Sequence, residues 1–291
     1  MMKKVIVIVG PTGVGKTKLS IELAKHYNTE IISGDSVQVY RELNIGSGKI
    51  KEDEKENIKH HLIDILDVSD EYSVYDFQKN GRKLIDEISL SNKIPIICGG
   101  TGLYIKALLF DYQFKTDKRT DEFSSLTNAE LYSRLKELND KELPDINNRK
   151  KLLRHLEIYT SGEVKLSKDV PLYDALVIGL TMDRDVLYER INLRVDNMIK
   201  DGLIDEVKIL YDKGINSKAT LSIGYKELYR YFRGEVSIDV AIDNIKKNSR
   251  HFAKRQYTWF NNQMNVNWID VLKEDPIEKS IKLIDMFLKK Q

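Results

Sequence analysis

The sequence has few of the residues that would cross-link a fold or hold it in a membrane. Its one cysteine among 291 residues, Cys98, excludes an intramolecular disulfide framework and is typical of a reducing compartment. The apolar run near the amino terminus ends just before Gly10 and is too short for a signal peptide or a membrane span. We therefore expect a cytoplasmic protein without a membrane partner.

The sequence also lacks an excess of charge of either sign. Lysine and arginine number 47 against 45 aspartate and glutamate residues, which gives a formal net charge of +2. The net charge neither indicates nor excludes a nucleic-acid partner, so the positions of basic clusters matter more. The length of 291 residues predicts one large domain or two small ones.

A phosphate-binding motif follows the first apolar segment. Residues 5–9 are all valine or isoleucine, which predicts a strand buried on both faces of a parallel sheet, and residues 18–27 predict a helix. Between them lies the pattern G-x-x-x-x-G-K-[ST], formed by Gly10, Pro11, Thr12, Gly13, Val14, Gly15, Lys16 and Thr17.

The chemistry of this loop suits a polyphosphate. Its backbone amides and the positive end of the following helix converge on an anion. Lys16 adds a mobile charge, and the hydroxyl of Thr17 suits a magnesium ion that bridges phosphate oxygens. The loop alone leaves open whether the phosphates belong to a nucleotide or to another polyphosphate.

Polar residues follow the second predicted strand, residues 30–33. Asp35 and Gln38 fall beyond its carboxyl end, with Ser36 and Val37 between them. Functional groups of open α/β sheets collect beyond the carboxyl ends of strands, which places Asp35 and Gln38 beside the phosphate-binding loop. An aspartate after a strand is also common as a helix cap or turn former, and this alternative stays open for Asp35.

A second glycine turn follows residues 94–98, a further predicted strand. It contains Thr101, which the same positional rule makes a candidate contact for phosphate or substrate. The alternative is a tight turn between strand and helix without a ligand.

His60 and His61 form a histidine pair at the start of another predicted strand, residues 60–65. Paired histidines suggest zinc, but no cysteine, histidine or carboxylate with ligand spacing accompanies them. We expect polar packing near the active edge of the sheet instead.

The composition changes between residues 111 and 170, where helical patterns replace strand patterns. Residues 147–159 predict a helix that carries Arg149 and Arg154, and strand composition returns at residues 175–180. These changes predict an α/β protein with a P-loop NTPase-like parallel sheet core flanked by helices. The core is expected to be discontinuous, with residues 1–114 and 172–291, and to carry a small helical insertion domain, residues 115–171.

The predicted helix over residues 238–261 carries many basic residues. Two rows four residues apart lie on adjoining faces of it, formed by Lys246, Arg250 and Lys254 and by Lys247, His251 and Arg255. Such a cluster is typical of contacts with a phosphate backbone, although an ordinary amphipathic surface helix would also explain it.

Taken together, these motifs resemble the bacterial tRNA dimethylallyltransferases, also called tRNA isopentenyltransferases. The resemblance covers nearly the whole chain. The matching segments are residues 10–17, 35–41, 60–64, 72–77, 99–104, 190–198, 223–227 and 253–260.

This resemblance implies transfer of a dimethylallyl group from dimethylallyl diphosphate to N6 of adenosine 37, in the anticodon stem-loop of tRNA. It implies that the loop of residues 10–17 binds the diphosphate, with Mg²⁺ at Thr17. It also implies that Asp35 is the general base, acting in a catalytic set with Lys16 and Thr101. We expect the enzyme to be a monomer.

The resemblance and the basic clusters together predict a set of tRNA contacts. In the family that the chain resembles, the positions that match Asp35 to Gln38 and Thr101 contact tRNA. A further family contact falls at the position of Phe123, with Arg119 nearby. The predicted tRNA-binding residues are Asp35, Ser36, Val37, Gln38, Thr101, Phe123, Arg149, Arg154, Lys247 and Arg255.

Three other functions remain open at this point. A small-molecule kinase of the nucleotide-kinase type shares the opening strand, loop and helix, but residues 94–98 end in Cys-Gly-Gly rather than in an acid placed to organise Mg²⁺. A non-catalytic RNA-binding module that uses a nucleotide as a switch leaves Asp35 and Gln38 unexplained. A transferase that acts on free AMP is the closest rival, and the basic helix favours tRNA over it.

Overall fold

The computed structural model describes residues 2–112, 123–138, 143–160 and 169–289. Strands and helices alternate in its first part and helices dominate its second. The elements are β1 (Lys4–Val9), α1 (Lys16–His26), β2 (Ile31–Ser33), β3 (His60–His61), α2 (Val74–Leu90), β4 (Ile96–Cys98), α3 (Gly102–Leu109), α4 (Asn128–Leu138), α5 (Arg149–Thr160), β5 (Asp174–Thr181), α6 (Arg184–Lys200), α7 (Leu203–Asp212), α8 (Tyr225–Phe232), α9 (Ile238–Gln263), β6 (Asn267–Asp270) and α10 (Pro276–Lys289).

The strands form one parallel sheet in the order β3-β2-β4-β1-β5-β6. At its centre, Val7 of β1 lies opposite Ile97 of β4 and Val177 of β5. Residues 5–9 are fully buried, because helices cover both faces of the sheet. Alternate residues of β1 enter different clusters, so Ile6 packs with α1 and α10 while Val7 packs with α2 and α3. The predicted α/β class with a parallel sheet is confirmed.

The chain divides into two compact units, residues 1–110 with 171–291, and residues 111–170. The larger unit contains the whole sheet. In the described part of the chain, no helix has the length and apolar character that crossing a membrane requires.

The smaller unit has its own core, which contains one of the predicted tRNA contacts. Phe123 is 4% exposed and packs between α4 and α5 with Leu131 and Leu152. Arg149 is half-buried, and its guanidinium donates to the carbonyl oxygens of Ser124 and Leu126, each at 2.7 Å. The contacts of Phe123 and Arg149 with tRNA stay predictions. Arg119 lies outside the described residues.

The loops after β2 and β4 approach each other closely. The amide of Gly34 donates to the carbonyl oxygen of Cys98 at 2.8 Å, and a Cβ atom at Gly99 would overlap the backbone of Gly34. This contact joins the two segments that carry Asp35 and Thr101. The carboxyl edge of the sheet is therefore tightly packed before any ligand is considered.

We expect Gly99→Ala to lower the free energy of unfolding by about 1–3 kcal/mol, because the added methyl group meets backbone that cannot move aside cheaply. Urea titration of the variant and of wild type checks this, and equal stability of the two proteins would contradict the account.

Candidate active site

The phosphate-binding loop connects β1 to α1. At Gly10 the backbone has a φ of 140° and a Cβ atom would lie 2.6 Å from the carbonyl oxygen of Leu180, so only glycine fits there. Gly15, with a φ of 107°, ends the loop and is the N-cap of α1. The helix therefore begins at Lys16 with its first amides directed toward the loop, the arrangement that binds anions.

Lys16 bends back across the loop. Its Nζ donates to the carbonyl oxygens of Gly10 at 2.9 Å and Pro11 at 2.8 Å. Burial is the main cause that lowers the pKa of Lys16 to about 8; the Arg194 charge acts in the same direction, whereas Cys98 and Asp35 favour the protonated form. An anion in the loop would oppose the effect of burial and restore the charge of the lysine.

Arg194 of α6 is a second half-buried cation at this loop, and it was not among the predicted site residues. Its Nη1 donates to Thr12 Oγ1 at 2.8 Å, and a Cβ atom at Gly48 would overlap its guanidinium. Burial lowers the pKa of Arg194, and Asp35 opposes that shift. Buried charges need partners, so Lys16 and Arg194 together favour a ligand of high negative charge.

Asp35 lies where the sequence placed it, and it also forms the turn that was the alternative. Its Oδ1 accepts hydrogen bonds from the amides of Val37 at 2.8 Å and Gln38 at 3.3 Å. The side chain is half-buried and lines the cavity beside Lys16. One oxygen thus shapes the turn while the carboxylate faces the site.

Gln38 lies across the same cavity. Its Nε2 is 3.5 Å from the carbonyl oxygen of Ser47 and 3.4 Å from that of Gly48. The loop that carries these two residues is fixed by Glu206 of α7, whose carboxylate accepts from the amides of Ile45 at 2.8 Å and Gly46 at 3.1 Å. Gln38 therefore faces the cavity from a well-anchored wall.

Three cavities adjoin one another at this edge of the sheet, within the larger unit. The first, of about 110 Å³, has among its lining residues Lys16, Thr17, Asp35, Gln38, His60, Cys98 and Arg194. The second, of about 320 Å³, shares with the first the residues Thr12, Asp35, Ser47, Arg194 and Phe252. The third, of about 560 Å³, shares with the first the residues Lys16, Thr17, Gly48, Ile50 and Arg194.

The first cavity shares walls with each of the other two. The third cavity adjoins it at the phosphate-binding loop, and its lining combines Lys18 and Lys49 with Glu22, Glu54 and Glu56. The second cavity adjoins it at Asp35 and Phe252 and is largely apolar, with Val195, Met198 and Ile223 among its lining residues. Two reactants of different character can therefore meet beside Asp35.

Thr101 is the N-cap residue of α3, and its hydroxyl makes no capping hydrogen bond to that helix. It is half-buried next to Gly99 and Gly100, which line the first cavity. Its predicted contact with substrate stays a prediction.

The histidine pair has polar partners rather than a set of metal ligands. His61 Nε2 lies 2.7 Å from Glu30 Oε2, and His60 Nδ1 lies 2.8 Å from the carbonyl oxygen of Ile58. Burial lowers the pKa of His60, and its Nε2 is buried without a hydrogen-bond partner among the described residues. Because His60 lines the first cavity, this nitrogen is a further candidate for a contact with a ligand.

The basic face of α9 is smaller than predicted. Lys246 pairs with Asp196 of α6 at 2.6 Å, and Arg250 Nη1 donates to Asn192 Oδ1 at 2.5 Å, so these two residues face the core. The exposed basic residues of α9, called the outward row below, are Lys247, His251, Lys254 and Arg255. This row is the part of the helix that remains available to a phosphate backbone.

The donors near Thr17 fit a magnesium ion that arrives with its ligand. Within the described residues, no group of three or more histidine, cysteine or acidic side chains could hold a metal ion. Mg²⁺ keeps several waters and binds through few protein groups plus phosphate oxygens. A single hydroxyl at the first turn of α1, beside a phosphate-binding loop, matches this preference.

Comparison with models of known protein families assigns the chain to one of them. Residues 38–263 match the model of the IPP transferase family. The chain belongs to this family. It is 48% identical to the tRNA dimethylallyltransferase of Anoxybacillus flavithermus, over 98% of this chain and 96% of that protein. It is 47% identical to that of Bacillus subtilis, over 97% and 95%.

Solved structures agree with this assignment. The full-length tRNA isopentenylpyrophosphate transferase from Bacillus halodurans is 42% identical, with a TM-score of 0.80 over 100% of this chain and 98% of that chain. A eukaryotic dimethylallyltransferase acting on tRNA is 28% identical and has a TM-score of 0.87, over 99% and 80%. The family suggested by the motifs is thus confirmed.

The low pKa of Lys16 leads to a measurable proton uptake. At pH 6.5 the lysine is already charged, whereas above pH 8 it is largely neutral until an anion binds. We expect pyrophosphate binding to take up about half a proton at pH 8 and close to one at pH 9, measured by calorimetry in buffers of different ionisation enthalpy. Lys16→Arg is the control, because arginine stays charged. Equal uptake by both proteins would contradict the assignment.

Proposed function

We propose that this protein transfers a dimethylallyl group from dimethylallyl diphosphate to N6 of adenosine 37 in tRNA. The observation that carries the proposal is the position of Asp35, which lines both a cavity with the half-buried cations Lys16 and Arg194 and an adjoining, largely apolar cavity. Family membership supports the same reaction, since the relatives bear the name tRNA dimethylallyltransferase.

The donor occupies the first cavity, with its diphosphate in the loop of residues 10–17. When the bond between the allylic carbon and the diphosphate oxygen breaks, its electron pair leaves with the diphosphate. Loop amides, Lys16 and Arg194 stabilise the charge that develops on the leaving group. Thr17 would hold a magnesium ion, which would supply further neutralisation of the diphosphate.

The acceptor adenine enters from the second cavity. Adenosine 37 lies in the anticodon loop, so the base has to be extruded from its stack before it reaches the site. Gln38 suits its recognition, because an amide both donates and accepts hydrogen bonds as the adenine edge requires. As the bond between N6 and the allylic carbon forms, the nitrogen becomes cationic, and Asp35 accepts its proton.

The tRNA body is bound by the surfaces around the second cavity. Ser36 and Val37 line that cavity, as does Arg255, which is exposed on α9. Lys247 lies on the same outward row of α9, and we include Thr101 at the start of α3. In the smaller unit, Arg154 is a candidate for a contact with tRNA, because its ion pair with Glu157 is long, at 3.4 Å, and holds the guanidinium only weakly.

The transfer assay tests the proposal directly. The protein is incubated with labelled dimethylallyl diphosphate and Mg²⁺ and with one of three acceptors: unmodified tRNA, the same tRNA with guanosine at position 37, or free AMP. Prenylated adenosine from the first acceptor alone supports the proposal. Product on AMP, or ATP-dependent phosphorylation in a parallel reaction, would replace it by one of the rival functions.

We expect Asp35→Asn to reduce turnover by about 10²–10⁴-fold, because the amide cannot accept the proton from N6. Asparagine still accepts the turn hydrogen bonds from Val37 and Gln38, so tRNA binding should remain within about twofold of wild type. Steady-state transfer kinetics and filter binding measure the two quantities. If Asp35→Ala alone lost activity while Asp35→Asn stayed near wild type, Asp35 would be a turn former only.

We expect Lys247→Ala to weaken tRNA binding and to reduce the slope of log affinity against log salt by about one. Lys246→Ala removes the same charge from a residue already paired with Asp196, and its slope should stay close to that of wild type. The binding isotherms at several salt concentrations give both slopes. Equal slopes for the two variants would remove Lys247 from the interface.

A further inference from the structure

Gln256 of α9 connects the two loops of the site. It is 6% exposed. Its Oε1 accepts a hydrogen bond from the amide of Thr12 at 2.8 Å, and its Nε2 donates to the carbonyl oxygen of Gly100 at 3.0 Å. One side-chain amide therefore bridges the phosphate-binding loop and the loop that carries Thr101.

The residues around this amide are shaped to admit it. A Cβ atom at Gly100 would overlap Gln256 Nε2, so the loop passes close to the helix only because residue 100 is glycine. Thr12 is held from two sides, through its amide by Gln256 and through its hydroxyl by Arg194. Each partner of Gln256 belongs to the wall of the first cavity.

Gln256 is the middle of three contacts from one face of α9. Phe252, four residues earlier, lines both the first and second cavities. Trp259, three residues later, covers Gly102 at the start of α3, where a Cβ atom would overlap its ring. The outward row of the same helix carries Lys247 and Arg255. The helix assigned to tRNA thus contacts both loops of the site with its inner face.

We propose that Gln256 is a positioning residue that fixes the distance between the phosphate-binding loop and the loop of residues 99–101. The role rests on the proposed function, since the first of these loops holds the diphosphate and the second carries Thr101. The chemistry demands an amide: one end has to accept from an N–H and the other has to donate to a C=O. A carboxylate presents an oxygen to the Gly100 carbonyl and repels it, whereas a protonated carboxyl group again offers an acceptor and a donor.

This requirement gives the variant Gln256→Glu a distinctive pH dependence. We expect its kcat to fall about 10–100-fold below that of wild type at pH 8, since a small misplacement of reacting groups has effects of this size. Burial and the facing carbonyl oxygen of Gly100 favour the protonated form of the introduced carboxyl group. The difference in kcat between wild type and variant should therefore become at least several-fold smaller as the pH falls toward 5.5. The KM for dimethylallyl diphosphate should change less than kcat.

The ratio of variant to wild-type kcat at each pH is the measured quantity. The titratable groups that line the same cavity in both proteins are Lys16, Asp35, His60, Cys98 and Arg194. The charges of Lys16 and Arg194 oppose protonation of the introduced carboxylate, so the ratio reports the titration of that carboxyl group in their presence. Gln263→Glu makes the same change on the exposed end of α9 and should give a ratio near one at every pH. A Gln256→Glu ratio that is independent of pH, or that matches the control, overturns the role.

Two further measurements keep the test decisive. Gly100→Ala displaces the amide without changing Gln256, so it should lower kcat to a similar extent and without pH rescue; wild-type kcat in this variant would also overturn the role. The second measurement is the affinity of Gln256→Glu for pyrophosphate, divided by that of wild type across the same pH range, and it needs no transfer reaction. If wild type fails to prenylate tRNA, the proposed function fails, while this ratio of affinities still supports or refutes the contact between Gln256 and Thr12.

Discussion

The site depends on two half-buried cations at the phosphate-binding loop. Lys16 is bonded to two carbonyl oxygens and has a pKa lowered to about 8, and the guanidinium of Arg194 has the hydroxyl of Thr12 as its hydrogen-bond partner. Both positions are costly without a counter-charge. An oligophosphate relieves the cost for both residues at once, and in the proposed reaction the product diphosphate carries more charge than the esterified donor. In the proposed reaction, the same cations therefore bind the donor and stabilise the departing diphosphate.

The parallel sheet explains why chemistry collects around these cations. β1, β2 and β4 lie side by side, so the loops that follow them meet at one edge. Helices of the second half of the chain then close that edge, α6 with Arg194 and α9 with Gln256. The result is a polar cavity that adjoins two others. In the proposed function, a phosphate-binding loop of a kind common in nucleotide-binding proteins binds a prenyl diphosphate, because the neighbouring walls decide which reactants reach it.

Sequence reasoning found the residues that lie close together along the chain and missed those brought in from afar. The phosphate-binding loop and Asp35 were predicted because each directly follows a recognisable strand. Arg194 and Gln256 lie in two of the segments that carry the resemblance, residues 190–198 and 253–260, but they contact Thr12 from positions 182 and 244 residues away, and this contact is visible only once α6 and α9 are packed. Phe123 lies in the core of the smaller unit, and residue type alone did not predict that core. The elements β6 and α10 went unpredicted, because the four residues Asn267–Asp270 form an edge strand with little apolar pattern of their own.

The most direct test of the central claim is a competition for the loop of residues 10–17. Wild-type protein with Mg²⁺ is titrated by calorimetry with dimethylallyl diphosphate, with and without saturating ATP, and the titrations are repeated on Lys16→Met. The account predicts that the prenyl diphosphate binds to wild type, that ATP displaces it poorly, and that Lys16→Met weakens its binding by at least tenfold. Tight ATP binding that excludes the prenyl diphosphate, with the Lys16 effect confined to ATP, would contradict it.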